Sequence, residues 1–310
     1  MTNPIIERLA VIGCGLIGTS VMRAARAKGA AAQIVAYDAN PIVRERVREL
    51  GMADLVAEEP VAAVQGADLI IFATPPAAIG PAVQAAAAGF KSGAIISDVG
   101  SVKGVVSDAM AAAAPDSVFV VPGHPIAGTE QSGPDAGFAA LFEGRWTILC
   151  PRPSEQAGYQ DAVERLSAFW TQLGALVELM DAAHHDRVLA VTSHLPHLIA
   201  YNIVGTAADL EQVAEGEVMK FSAGGFRDFT RIAASDPIMW RDVFLLNKDA
   251  VLEILGRFNE DLQALSRAIR WGEGDKLEAL FTRTRAIRRG IVAAGQESAE
   301  PNFGRDRKTP

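Results

Sequence analysis

The chain is poor in three things, and each shortage removes a class of protein. Cysteine is scarce: among 310 residues only Cys14 and Cys150 occur, far apart in the chain. Neither sits in a paired spacing, so a disulfide framework and a cysteine zinc site are both excluded, and the two read as small apolar fillers of a reduced protein. Positive charge is in deficit, with 29 Lys and Arg against 37 Asp and Glu and a formal net charge of −8. That balance argues against a nucleic-acid binder, whose affinity rests on a basic footprint that neutralises phosphates. An anionic ligand would need a local cluster of Arg or Lys. Uninterrupted apolar runs of 18 residues are missing, and the start MTNPIIERLA lacks the basic residues, apolar stretch and cleavage site of a signal peptide. A cytoplasmic protein with no membrane partner is expected.

What remains is an ordinary globular composition, 49% hydrophobic and 21% charged, over a length that suits two domains better than one. The first half alternates β-branched runs with Ala-rich helical stretches, the pattern of a mostly parallel, Rossmann-like α/β sheet covered by helices. Seven stretches read as strands: 8–13, 33–38, 67–76, 93–100, 117–123, 145–151 and 175–180. The helix after the second has readable ends, with Asn40 as N-cap, Pro41 in the first turn and Gly51 past the end. After about residue 180 the β-rich runs stop. The expected division is an α/β nucleotide domain over 1–180, an all-helical domain over 181–295 and a disordered polar tail over 296–310. Residues 242–269 carry apolar positions at mixed three and four spacings, as one long helix that would serve a dimer interface or the subunit core.

GCGLIG at 13–18 matches the dinucleotide fingerprint, with an apolar strand leading in and a helix leading out. Gly13 would make the tight turn, Gly15 would admit a pyrophosphate, and Gly18 would let helix and strand pack closely. The N–H groups of Leu16 and Ile17 would face the anion at the helix N-terminus. Asp38, twenty positions after Gly18, would bind the ribose hydroxyls and favour NAD, because a 2′-phosphate would meet its charge. Thr74, at the carboxyl end of the third candidate strand, would also reach the cofactor. A glycine turn in a fold that binds no nucleotide is the alternative.

All five histidines, His124, His184, His185, His194 and His197, fall within a quarter of the chain. His124 follows a strand in VPGHPIAGTE, and Ser101 follows the preceding strand in DVGSVKG, so both are expected at the carboxyl edge of the sheet. A hydrogen bond from Ser101 would orient the imidazole. Turn chemistry is the competing reading for His124, and simple helix decoration for His184. The pair His194 and His197 shares the spacing of a metal site, but Pro196 interrupts the turn and no third ligand follows, so no metal is expected.

DVGSVKG, GHPIAGTEQSG, HDRVLAVTSHLPH and GGFRDFTRIAASDPIMWRD, in this order after GCGLIG, resemble the prephenate/arogenate dehydrogenase family of tyrosine biosynthesis, over roughly residues 8 to 295. The resemblance implies a Rossmann domain, a helical dimerisation domain and a homodimer. It implies oxidative decarboxylation of prephenate or arogenate with NAD or NADP, and no appended regulatory domain fits this length. By the matching motifs His124 would be the catalytic base and Ser101 its orienting partner. Arg231 would hold a substrate carboxylate with Asp228 nearby, and His197 the substrate side chain. His185, His194, Glu130 and Trp240 would line the substrate pocket, and Lys103 would lend a positive field or merely start a helix. Two rivals stand beside this reading: a β-hydroxyacid or imine-reducing dehydrogenase, and a noncatalytic NAD-binding dimer.

Overall fold

A computed structural model of the chain describes residues 4–211 and 223–293. The tail expected to be disordered lies outside these residues. Six parallel strands form the main sheet: β1 (Ile6–Ile12), β2 (Ala31–Tyr37), β3 (Leu55–Val56), β4 (Leu69–Phe72), β5 (Ile95–Asp98) and β6 (Phe119–Val120). Their order is β3-β2-β1-β4-β5-β6. The central strand β4 is buried over its whole length. A sheet covered on both faces demands such an apolar run, and this is why LIIF shows no alternation.

Five helices connect the strands: α1 (Leu16–Lys28), α2 (Pro41–Glu49), α3 (Pro60–Val64), α4 (Pro76–Ala86) and α5 (Gly104–Ala113). The start of α2 is as its sequence dictates, since the Asn40 side chain accepts the N–H of Ile42 and Pro41 fills a position that needs no donor. On one face of the sheet Val21, Met22, Phe169 and Trp170 join a core, and on the other Ile79, Val83, Val106 and Met110 do. The strand order reverses between β1 and β4, so the loops after these two strands open the crevice where ligands of such sheets bind.

A second sheet follows, with β7 (Gly123–Pro125) antiparallel to β8 (Trp146–Leu149), which is parallel to β9 (Leu176–Leu179) across the helix α6 (Tyr159–Gln172). Each of the seven expected strands is found, while β3 and β7, two and three residues long, were not expected. The position of His124 is thereby corrected. It lies inside β7, paired with Ile148, rather than in the loop ending β6.

Among the described residues after β9 all regular structure is helical: α7 (Ala182–Leu189), a π-turn (Ala190–His194), α8 (Leu195–Glu211), α9 (Gly224–Thr230), a 3-10 turn (Arg231–Ala234), α10 (Pro237–Leu246), α11 (Lys248–Arg270) and α12 (Gly274–Ala293). Pro196 cannot donate to the preceding turn, and the chain answers with the wider π-turn, a form common at functional sites. The stretch Ala182–Leu210 has the length and apolar composition of a membrane span. His185 and His194 on it are nonetheless fully buried against protein. The expected single helix over 242–269 is two helices, because Asn247 takes a non-helical conformation and turns its amide to Asp186 and His194. By its contacts the chain forms two compact units, Met1–Leu252 with both sheets and Glu253–Pro310 with most of α11 and all of α12.

Candidate active site

The glycine loop divides its labour by geometry. Gly13 has φ +98°, and a Cβ there would lie 2.6 Å from the Ala73 carbonyl oxygen. A Cβ on Gly18 would lie 2.0 Å from the Gly13 carbonyl oxygen, so only glycine allows α1 to start this close to the turn. A Cβ on Gly15 would meet nothing within 4 Å. No side chain caps the first turn of α1, which leaves the N–H groups at Leu16 and Ile17 pointing into that space.

Asp38 follows β2 and accepts the N–H of Cys14 at 2.8 Å and of Asn40 at 2.9 Å. A carboxylate has about four acceptor positions, so two remain for a pair of hydroxyls. The hydroxyl of Thr74 is buried with no hydrogen-bond partner among the described residues. An open cradle at a helix start, a half-used carboxylate and an orphan hydroxyl fit a dinucleotide with an unphosphorylated ribose. The Cys14 thiol beside them is inert, its pKa raised to about 12 by burial first and then by the charge of Asp38.

At the carboxyl end of β5 a buried ion pair holds the next part of the site. Lys103 and Asp98 pair with both side chains fully buried, and the Lys103 ammonium also donates to the Gly123 carbonyl. Asp98 accepts the N–H groups of Gly100 and Gly123 as well. These contacts tie the end of β5 to the residue before His124. His124 is 8% exposed, and its Nδ1 lies 2.9 Å from His185 Nε2. His185 Nδ1 lies 2.8 Å from Asp186 Oδ1. Burial, then the neighbouring His185, Lys103 and His194, pushes the His124 pKa well below its ordinary value. The ring is therefore neutral at pH 7, the state a proton acceptor needs.

A third group lines the helical side. Arg231 and Glu130 form a salt bridge at 2.7 Å, with about a third of each side chain exposed. His197 stacks on Trp240 with ring centroids 3.6 Å apart and donates from Nδ1 to the Ser193 carbonyl at 2.8 Å. Its pKa is lowered to about 4, by burial above all and by Arg231. The buried indole N–H of Trp240 has no partner among the described residues. His194, likewise lowered to about 4 by burial, lies edge-on to Trp240 and bonds Asn247 at 3.1 Å.

Four expectations change on this geometry. Ser101 makes no hydrogen bond to His124, whose Nδ1 is taken by His185; it meets His194 through its backbone instead. His185 is fully buried with both ring nitrogens engaged, so it stands behind His124 and has no atom left for a substrate. His194 is equally buried and supports Trp240 from behind. Arg231 pairs with Glu130 rather than with Asp228, which joins two residues that the sequence reading kept apart. His184 is exposed, its backbone N–H bonded to the Asp181 cap. Asp186, Asp98 and Asn247 had been given no role. The one signal for Asp186 was its place beside His185 in the HDRVLAVTSHLPH motif.

A glycine loop and acidic residue suited to a dinucleotide, with a buried neutral imidazole whose neighbour Gly123 is bonded to the carboxyl end of β5, define a nucleotide-dependent dehydrogenase. Comparison with known proteins gives the family. Residues 21–179 match the model for the prephenate dehydrogenase nucleotide-binding domain, and 181–283 match that for the prephenate dehydrogenase dimerization domain. The chain belongs to the prephenate dehydrogenase family. It is 40% identical over 284 residues to a cyclohexadienyl dehydrogenase of Zymomonas mobilis, covering 92% of this chain and 96% of that protein. It is 33% identical over 304 residues to a prephenate dehydrogenase of Bacillus subtilis, covering 97% and 80%. Among solved structures, prephenate dehydrogenase from A. aeolicus in complex with hydroxyphenyl propionate and NAD+ superposes with a TM-score of 0.84 at 30% identity, over 92% of this chain and 98% of that one.

Proposed function

We propose that the protein oxidatively decarboxylates prephenate, arogenate or both, with NAD as hydride acceptor and His124 as general base. The observation that carries this reading is the buried, neutral His124, whose neighbour Gly123 is bonded to Asp98 and Lys103 at the carboxyl end of β5, in the sheet that also carries the glycine loop, Asp38 and Thr74. The substrate has a ring hydroxyl at C4 and a ring carboxylate opposite it. His124 accepts the hydroxyl proton as the C4 hydride leaves, and the bond to the carboxylate breaks to release carbon dioxide and make the ring aromatic. When bound, NAD takes the hydride. Base catalysis of this kind is worth about a hundredfold to ten-thousandfold.

In this reading Gly13, Gly15, Gly18, Leu16 and Ile17 receive the pyrophosphate, and Asp38 and Thr74 the adenosine ribose and the nicotinamide side. Arg231 holds a substrate carboxylate, which competes with Glu130 for the guanidinium. His197 presents its free Nε2, a hydrogen-bond acceptor, and Trp240 an indole N–H that still lacks a partner. The functional division stays at residue 180, with a cytoplasmic homodimer paired through the helical part. Steady-state turnover with prephenate and arogenate, each with NAD and NADP and with the product identified, tests the proposal. NAD binding without NADH formation from either substrate would leave the noncatalytic reading in its place.

A further inference from the structure

His124 does not stand alone. It ends a continuous row of three hydrogen-bonded side chains, Asp186 to His185 to His124, with spacings of 2.8 and 2.9 Å. The row has a direction, and proton counting gives it. Burial drives the Asp186 carboxyl up, but hydrogen bonds from His185 and from the backbone N–H groups of Lys103 and Gly104 outweigh it and hold the group below the usual carboxylate range. Asp186 is therefore ionised at neutral pH and can only accept. The proton between it and His185 belongs to His185 Nδ1.

Neutral imidazole carries a single N–H, so His185 Nε2 presents a lone pair. Facing that lone pair at 2.9 Å is His124 Nδ1, which must then carry the proton of its own ring. The lone pair of His124 is left on Nε2. Both rings are neutral near pH 7, because burial lowers both pKa values.

We propose that Asp186 and His185 are positioning residues that lock His124 into its Nδ1–H tautomer, so that Nε2 is the atom that takes the substrate proton. The proposal rests on reading His124 as the base. It also gives the charge formed on His124 somewhere to go. Once Nε2 is protonated, passing the Nδ1 proton to His185 Nε2 places the imidazolium against the Asp186 carboxylate. Asp186 is held rigidly for this task, since one oxygen accepts Lys103 N–H and the other Gly104 N–H at the start of α5.

The direct test needs no substitution in the row. With 15N-labelled histidine, long-range proton–nitrogen correlation of the protein at pH 7 reads which ring nitrogen is protonated, and His124→Asn assigns the signal. Protonated Nδ1 and bare Nε2 on His124 are expected, and the opposite tautomer overturns the proposal. Two variants carry the same logic into turnover. His185→Leu keeps the volume but removes the acceptor, and kcat should fall about a hundredfold with KM changed less than about threefold. In His185→Gln one amide end accepts from His124 and the other donates to Asp186, so most of the lost rate should return.

Equal losses in both variants would mark His185 as mere packing and overturn the proposal, as would kcat within about threefold of wild type in the leucine variant. Absence of wild-type turnover with prephenate and arogenate would sink the functional reading alone, because the tautomer measurement is made without substrate.

Discussion

Lys103→Met is the substitution whose cost the structure states most clearly. The ammonium and its partner Asp98 are both fully buried. Removing it leaves the carboxylate with only the N–H groups of Gly100 and Gly123, and strips the Gly123 carbonyl of its donor. Breaking a buried pair by deleting one partner costs about 3–5 kcal/mol, because an uncompensated charge stays inside. Against a typical domain stability of about 5–15 kcal/mol this is a large share. At about 2–4 °C per kcal/mol for a unit of this size, the thermal midpoint should drop by roughly 10 °C. Pairing it with Asp98→Asn removes the stranded charge, so the double variant should be more stable than Lys103→Met alone. Thermal and urea unfolding of the three proteins beside wild type measures this. A loss below about 1 kcal/mol in Lys103→Met would mean that the buried pair leaves no uncompensated charge behind. The same variant has a kinetic signature. Lys103 helps keep the His124 pKa low, so its removal should move the acidic limb of the kcat profile to higher pH.

Four further outcomes are expected. Arg231→Gln should raise KM for the substrate dianion about 10- to 100-fold, toward the lower end for a charged hydrogen bond because the site is partly exposed; an unchanged KM would return Arg231 to a structural ion pair. Gly18→Ala should abolish cofactor binding through its overlap with the Gly13 carbonyl, and calorimetry with NAD reads the loss. Asp38→Ser should weaken NAD and narrow the gap to NADP, measured as the ratio of kcat/KM values. Stability should also fall in mild acid. The folded pKa values of His194 and His197, about 4, lie below the unfolded value, so their contribution is complete above pH 6.5 and is lost as pH falls from there toward 4. Each can remove up to about 3 kcal/mol, and equal stability at pH 7.5 and 5 would contradict the assignment of neutral buried rings.

Much of the architecture was legible because apolar runs and caps are local signals. LIIF declares a doubly covered strand, and Asn40 with Pro41 declares a helix start. The short β7 was not legible, since three residues, two of them glycine and proline, carry no strand pattern. Nor was the break at Asn247, where the apolar spacing runs straight through and only the tertiary bonds to Asp186 and His194 end the helix. In the candidate site, the motifs single out His124 and Arg231 but not the side chains the structure sets against them. His185 lies 61 residues from His124 and Glu130 lies 101 from Arg231, and no spacing rule connects positions that only folding brings together. Lys103 stood ambiguous for the same reason, because a lysine at a helix start is ordinarily solvated until a buried carboxylate such as Asp98 is placed against it.

Whether this fold sets a neutral His124 to take a proton as hydride leaves the substrate is tested by one comparison. Wild type and His124→Asn are assayed for NADH formation from prephenate, and from arogenate, under saturating NAD at pH 7.5. Wild type is expected to turn over, and the variant to lose at least about a hundredfold in kcat with NAD binding retained. A variant that keeps near-wild-type kcat would contradict that role of His124.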